Sequence, residues 1–452
     1  MCFLSKGIVQ KKKGQKFRTI LYVILSLITA YAMIYIDMNS TPLSRTRLGM
    51  YITSDYIAGF ILIVATLVAT WLEYGLSLTC VVGVFILYML LGQYLPSGIS
   101  HPVLSYKRMI GTLSLYTEGI MGTALGAIVS TVGAVLVFAG FLEISGASKV
   151  FMNLTILLFG RFTGGAAKIA VVSSSLFGTI SGSAAANVAG TGIITIPLMR
   201  KTGFEPHYAG AVEATASSGG QIMPPIMGAA AFLMAEYTGI PYSRIAVLAI
   251  LPAILYFAGI YIAVHLEAKK LGLQGLDKDS LPKFSYLVKK LYLLAPLVVL
   301  VVLVSNGTRT MQSSAAIAIL VTIVVGLFNS DNRISLGKII DALEAGGKGT
   351  ITVASACTMA GIVAGCITST GLASKLLRAI VSASGGVMII ALLLTMICCI
   401  VLGMGVPTTA TYCIMAATCA PILMSPEIGV EMLAAHFFVF YFGIVADIHP
   451  GR

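Results

Sequence analysis

Long apolar runs separated by short polar connections dominate the chain, and two of them are interrupted where small, hydroxyl-bearing and proline residues accumulate. The first interruption, from Gly178 to Pro225, reads GTISGSAAANVAGTGIITIPLMRKTGFEPHYAGAVEATASSGGQIMPP. Irregular backbone survives in hydrocarbon only where other protein covers it or where it lines a polar cavity, so this stretch predicts a site. A second interruption begins at Gly403, GMGVPTTATYCIMAATCAPILMSPEIGVEMLAAHFFVFYFGIVADIHP. Shifted by about 225 positions, Gly178 falls on Gly403, Ser183 on Thr408 and Leu198-Met199 on Leu423-Met424. After one inserted residue, Gly203 falls on Gly429, Glu205 on Glu431, Ala209 on Ala435, Ile222 on Ile448 and Pro224 on Pro450. Matched Gly, Glu and Pro at a constant offset predict an internal duplication, and paired interrupted segments point to a transporter's central site.

Before the first interruption, the periodicity predicts helices over 18–36, 56–71 and 77–94, with a tight turn at Glu73-Tyr74-Gly75. The loops carrying Arg45 and Arg47 and spanning 95–108 are expected outside, and the three helices read as an accessory scaffold block. A Gly- and Ala-rich helix or helix pair follows over 115–143, then a helix over 150–160. Residues 167–180 are too few to cross a bilayer comfortably as a helix, so they predict a re-entrant hairpin. Its limbs lie near 168–180 and 186–199 and its tip at Ser181-Gly182-Ser183.

Half-helices over 208–218 and 226–237 are then separated by Gly219-Gly220-Gln221 and by Pro224-Pro225, which remove backbone donors and break the helix. A helix over 245–266 leads into the longest hydrophilic connection, expected to be a cytoplasmic linker. The second half predicts helices over 291–304 and 314–327, with an outside turn at Asn306-Gly307 between them. An amphipathic interfacial piece over 334–344 follows, then helices over 350–370 and 386–402. The expected domains are a scaffold over 1–110, a first transport repeat over 111–266, a linker over 267–290 and an incomplete second repeat over 291–452.

Composition makes the membrane assignment firm. Apolar residues are 58% of the 452, charged residues 10%, and the mean hydropathy is +0.96. These values exclude a soluble multidomain protein, and the 47 glycines suit close helix approach in lipid. The net charge of +12 sits in short loops rather than on one surface, so it reads as a topology signal and not as a nucleic-acid footprint. Lys6, Lys11, Lys12, Lys13, Lys16 and Arg18 predict a cytoplasmic N-terminus, with the first apolar segment retained as a helix. The eight cysteines have no metal-ligand spacing and the five histidines are scattered, so neither a metalloenzyme nor a haem site is suggested.

A broken membrane helix offers carbonyls at one half-helix end and amide donors at the other, ligands for a small cation and an anion. In the first half, Ser181, Ser183, Asn187, Thr191, Ser217, Ser218 and Gln221 are candidate oxygen donors. In the second, Thr408, Thr409, Thr411 and Asp447 take comparable positions. A single Ser or Thr is equally well explained by a bond to its own helix, so the argument rests on clustering at both breaks. Glu213 and Asp447 are carboxylates within apolar segments, where a charge is paired or functional. For Glu213 the competing expectations are ion coupling and a structural bond to backbone or to Lys168. For Asp447 the competing expectation is solvent exposure.

The blocks WLEYG, GGAAKIAVVSSSLFGTISGSAAANVAGTG, IPLMRKTGFEPHYAGAVEATASSGGQIMPPIMGAAAF, GIPY, LGMGVPTTATY and AAHFFVFYFGIVADI resemble the fused permease subunit of tripartite ATP-independent periplasmic (TRAP) transporters, of the TAXI-type branch. The resemblance implies an all-α, polytopic, elevator-type protein of the bacterial inner membrane with inverted repeats, re-entrant hairpins and broken helices. It also implies sodium as coupling ion, no other cofactor, and a periplasmic binding protein that delivers an organic anion such as a carboxylate. By matching motif it places cation sites at Ser181, Gly182, Ser183, Asn187, Ser217, Ser218 and Gly219, and at Gly403, Gly405, Val406, Pro407 and Thr408. Glu213, Gln221, Pro224, Pro225, Thr409, Thr411 and Asp447 remain as substrate or supporting candidates.

Where the family pattern continues as Thr-Pro-Pro and further membrane segments, this sequence has His449-Pro450-Gly451-Arg452, and the expectation is a truncated second repeat with impaired transport. The alternatives are a carrier with paired hairpins that needs no binding protein, an inactive scaffold, and a membrane enzyme. The enzyme reading lacks a nucleophile and base at recognisable spacing.

Overall fold

Apolar stretches form the long helices, even across Pro252 in the helix over Tyr242–Lys270, and left-handed glycines such as Gly75 and Gly182 end others. The computed structural model describes residues 2–12, 15–277, 281–307 and 309–448, apart from the side chains of Lys11, Lys12 and Asp447. Lys13 and the segment from His449 to Arg452, including the Pro450 match, lie outside the described residues. Every regular element among those described is helical. Among the described residues, six helices are long and apolar enough to cross a membrane, within residues 16–38, 53–74, 76–94, 123–144, 242–270 and 336–370. The chain forms two compact units, one built from residues up to Val129 together with those from Ile351 onward, the other from Ser130–Thr350.

In the first unit, α1 (Cys2–Lys12), absent from the sequence expectation, precedes α2 (Lys16–Met38), α3 (Thr53–Tyr74) and α4 (Leu76–Leu91). Gly75, at φ +76, makes the turn between α3 and α4. Lys6 pairs with Glu73 at 3.4 Å, so α1 lies at the turn end of this block. At the opposite end Asp55 is wholly buried. It accepts from Arg47 Nη1 at 3.1 Å and Tyr35 OH at 2.8 Å, while Arg47 Nη2 donates to Asn39 at 2.7 Å. The short α5 (Tyr106–Ile110) follows.

α6 (Thr123–Ala127) and α7 (Gly133–Ile144) are joined by a π turn into the 123–144 span, which passes into the second unit. There α8 (Ala147–Phe159) leads to a hairpin of α9 (Gly165–Ser181) and α10 (Ala184–Lys201). A broken helix comprises α11 (Pro206–Gly219), a 3-10 turn at Gly220–Ile222 and α12 (Ala229–Thr238), and the long α13 (Tyr242–Lys270) follows. The linker begins within the end of α13, and its described residues beyond Lys270 include one α-helix, α14 (Phe284–Val288), before α15 (Ala295–Ser305) and α16 (Met311–Leu327). Lys290 pins it by pairing with Asp331 at 3.0 Å and donating to Asn329 at 3.0 Å, while Asn329 donates to the Ser145 carbonyl at 3.0 Å.

The interfacial piece expected over 334–344 is not separate. It belongs to α17 (Leu336–Thr370), one helix of 35 residues. Three of its glycines are contact points rather than breaks: a Cβ on Gly346 would stand 2.6 Å from Val137 Cα, one on Gly361 would stand 2.3 Å from the Gly119 carbonyl oxygen, and one on Gly365 would stand 3.1 Å from the Glu118 carbonyl oxygen. Back in the first unit, α18 (Leu372–Ser384) was not expected. Its Leu376, Leu377, Ile380 and Val381 pack on a core of Ala391, Ile422 and Ile428. α19 (Met388–Gly403), α20 (Thr408–Thr418), α21 (Ala420–Leu423) and α22 (Met432–Val445) end the described chain, with a 3-10 turn at Ala446–Ile448.

Candidate functional site

The hairpin forms because its sequence supplies both caps at the tip. α9 has only 17 residues, about 25 Å of helix. Gly182 then takes the left-handed conformation at φ +57, which a glycine adopts without steric penalty. Ser183 is extended and accepts the Ala186 amide at 3.4 Å as the N-cap of α10. The Ser181 hydroxyl contacts the Ser183 carbonyl at 3.4 Å. A Cβ on Gly182 would meet the Met227 carbonyl oxygen at 3.1 Å, so the tip rests on the irregular connection before α12.

That connection follows the break. Pro224-Pro225 is a cis peptide, and Met227 has φ +61, rare for a residue with a side chain. Tyr242 OH donates to the carbonyls of Pro225 and Ile226, while Gly228 donates to the Gln221 carbonyl at 2.9 Å. Gln221 is buried in the same turn. Tyr256 OH donates to the Thr215 carbonyl at 2.8 Å near the end of α11, and its ring occupies the space a Cβ on Gly219 would need. The break is thus built from carbonyls partly satisfied by side chains of α13.

Behind the tip, α9, α10 and α11 converge on Glu213, which is 0% exposed. Four hydroxyls donate to its carboxylate: Ser174 at 2.9 Å, Ser217 at 3.1 Å, Thr191 and Thr195. Asn187, also wholly buried, donates to the Ser174 carbonyl at 2.8 Å and to the Ser217 carbonyl at 3.4 Å. The three helices approach this closely because Gly178 and Gly220 meet: a Cβ on Gly178 would stand 2.3 Å from Gly220 Cα and 2.9 Å from Asn187 Nδ2. Among the described residues no cationic side chain pairs with Glu213.

The expected alternative partner, Lys168, lies elsewhere and corrects that reading. Its ammonium is 3.1 Å from His265 Nδ1 and sits over the rings of Phe162 and Tyr261. Lys168 belongs to the first turn of α9, Ser174 to its middle, so helix rise separates the two positions. Ser218 also stands apart from the carboxylate, because its hydroxyl donates to the Ala214 carbonyl of its own helix at 3.0 Å. Ser174 and Thr195 were absent from the candidate set. Helical spacing was the available signal, since Asn187, Thr191 and Thr195 recur every fourth residue and Glu213 and Ser217 are four apart.

In the other unit the described residues of the second interruption repeat the scaffold but not the polar shell. α11 and its 3-10 turn span 206–219 and 220–222; α22 and its turn span 432–445 and 446–448, every bound displaced by 226 positions. Gly203 and Gly429 share that offset and both have positive φ. The close contact recurs as well: a Cβ on Gly403 would stand 2.7 Å from Ala446 Cβ and 3.1 Å from Thr411. Gly405 turns at φ +75, with its carbonyl accepting from Ser77 at 3.1 Å, and Pro407 precedes α20, which Thr408 and Thr409 begin. Val406 is buried, and its carbonyl accepts from Thr411 at 3.3 Å. At the position of Glu213 stands Val439, and at that of Asn187 stands Tyr412, whose hydroxyl is 2.8 Å from His436 Nδ1. The Asp447 carboxylate lies outside the described residues.

Residues 60–451 match the family model described as tripartite ATP-independent periplasmic transporter, DctM component. The chain is 25% identical over 307 residues to the isethionate TRAP transporter permease protein DctMQ of Oleidesulfovibrio alaskensis, covering 66% of this chain and 48% of that protein. It is 24% identical over 301 residues to a putative TRAP transporter large permease protein of Haemophilus influenzae, covering 66% and 68%. The match thus spans about half the length of the first of these relatives. The solved structure of the Alcanivorax borkumensis YdaH transporter aligns with a TM-score of 0.52 at 16% identity, over 82% of this chain and 87% of that one, a likeness of fold.

Proposed function

Because the chain belongs to the DctM component family of tripartite ATP-independent periplasmic transporters, a family of membrane transporters and not of enzymes, we propose that it carries out sodium-coupled uptake of an organic anion delivered by a periplasmic binding protein. One observation carries the sodium assignment: Glu213 is fully buried, surrounded by hydroxyl oxygens, and without a cationic partner among the described residues. A buried carboxylate demands a compensating charge, and a site of hard oxygens with one carboxylate suits a monovalent cation. The hydroxyls of Ser174, Thr191, Thr195 and Ser217 accept as well as donate, so rotation of each presents its oxygen to an ion beside Glu213.

The hairpin tip at Ser181, Gly182 and Ser183 and the carbonyls near Pro224 and Pro225 adjoin this centre and supply the substrate side. The second proposed cation position is the break at Gly403, Gly405, Val406, Pro407 and Thr408. Isethionate and C4-dicarboxylates, named for relatives, are the first anions to try. The test is uptake into proteoliposomes with the cognate binding protein, under a sodium gradient and under a choline control. Sodium-driven uptake that falls at least a hundredfold in Glu213→Gln is expected; uptake in that variant at the wild-type rate would contradict the assignment.

A further inference from the structure

A polar cavity of about 600 Å³ lies within the first unit and shares no residue with the Glu213 centre. It opens at the end of the α2–α4 block opposite the Gly75 turn, among the loops after α2 and α4. Tyr51, Tyr56 and Tyr116 form one wall, Lys107 and Arg108 another, and Glu118 also faces it. The tyrosine wall is preorganised. Tyr51 meets Tyr56 and Tyr116 edge-on with ring centroids 5.9 and 6.0 Å apart. Its ring also lies against Gly111, where a Cβ would come within 3.1 Å of it.

Neither cation is spent on an ion pair. Among the described residues Lys107 and Arg108 have no carboxylate within 4.0 Å, and the Lys107 ammonium sits 5.7 Å above the Tyr56 ring. By contrast Arg47, nearby in sequence to Tyr51, is fully engaged by Asp55 and Asn39. The Tyr51 hydroxyl, beside Tyr116 and the Gly49 backbone, meets neither at full hydrogen-bond geometry. Burial pushes its pKa up to about 12, so it remains a neutral donor at physiological pH.

We propose that this cavity is a receiving site for small organic monoanions that carry a hydroxyl or amino group. The carboxylate meets Lys107 and Arg108, where guanidinium and ammonium give charge-assisted bonds. The tyrosine hydroxyls and Glu118 take the polar group. With two cations against one carboxylate the lining has one net positive charge, which favours a monoanion over a dianion. Its place in uptake, as the point where a delivered anion first meets the permease, rests on the transport reading; the binding itself does not.

The experiment is equilibrium binding of radiolabelled glycolate and succinate to the full chain in nanodiscs in sodium-free choline buffer, which leaves the sodium-coupled centre unloaded. Glycolate is expected to bind at least tenfold more tightly than succinate. Lys107→Gln with Arg108→Gln should weaken it tenfold or more, and Lys107→Arg with Arg108→Lys should restore it. Glu118→Gln should tighten succinate about tenfold, and a loss of folding does not produce a gain of binding. Glycolate binding unchanged in the double glutamine variant, absent in the wild type, or no tighter than succinate would overturn the site. Intact binding in a chain whose uptake ignores sodium supports the site and contradicts the sodium reading alone.

Discussion

At the residue scale, the chemistry depends on how buried charge is compensated. Glu213 and Asp55 are both wholly buried, but they solve the problem differently: Asp55 has Arg47, Glu213 has hydroxyls. Removing one partner of a buried ion pair leaves an uncompensated charge, so Arg47→Ala should destabilise the chain by about 3–5 kcal/mol in detergent melting. Thr195→Val removes a single hydroxyl donor from a carboxylate and should cost about 1.5–3 kcal/mol. At the linker, the Tyr286 hydroxyl at 2.6 Å and Lys290 hold the Asp331 carboxyl below its ordinary pKa. A lowered folded-state pKa gives stability that is present above the unfolded value and is lost as pH falls through the folded one. The wild-type melting temperature should therefore fall on acidification below about pH 4, and Asp331→Asn should flatten that part of the profile. Within the buried polar cluster, Glu213, Asn187, Thr191 and Ser217 stood out in the sequence because polar groups are conspicuous in apolar runs. Thr195 was signalled only by its four-residue spacing from Thr191 and Asn187, and Ser174 by nothing local, since the three-helix contact that unites both with Glu213 is set by packing.

At the element scale, the sequence shows breaks better than it shows continuity. The hairpin tip was legible to the residue because Gly182 and Ser183 provide opposite caps in adjacent positions. α17 was not, because Gly346, Gly347 and Gly349 read as a break in isolation, whereas the structure uses Gly346 to admit the backbone at Val137. α18 escaped notice because its apolar stripe is short and shared with polar positions, although it packs on the α19 core. The duplication makes a comparative prediction. Gly178→Ala sets a methyl 2.3 Å from backbone at Gly220, whereas Gly403→Ala first meets a side-chain methyl at 2.7 Å. Both should destabilise within the overpacking range of about 1–3 kcal/mol, with the Gly178 variant at the upper end. Equal melting temperatures for the two variants would contradict the reading that backbone contact makes the first repeat the less tolerant.

At the scale of the whole molecule, the two repeats share a backbone plan but not a charge plan. Matching bounds of α11 and α22 make the repetition legible from spacing alone, and the aligned Gly, Glu and Pro residues announced it in the sequence. The loss of the polar shell in the second repeat was equally written there, as Val439 for Glu213 and Tyr412 for Asn187. Its meaning emerged only once the structure showed that the hydroxyls of the first repeat all turn to one carboxylate. One compact unit draws together residues up to Val129 and from Ile351 onward, a pairing that no contiguous stretch of sequence displays. The central claim, that Glu213 and its hydroxyl shell hold the coupling ion, is tested most directly by melting the purified chain in sodium and in equal potassium or choline. Native-state binding at a hundredfold excess over Kd stabilises by about 2.7 kcal/mol. A sodium-specific rise in melting temperature that disappears in Glu213→Gln is the predicted result. An equal sodium-specific rise in the wild type and in that variant would place the ion elsewhere and contradict the account.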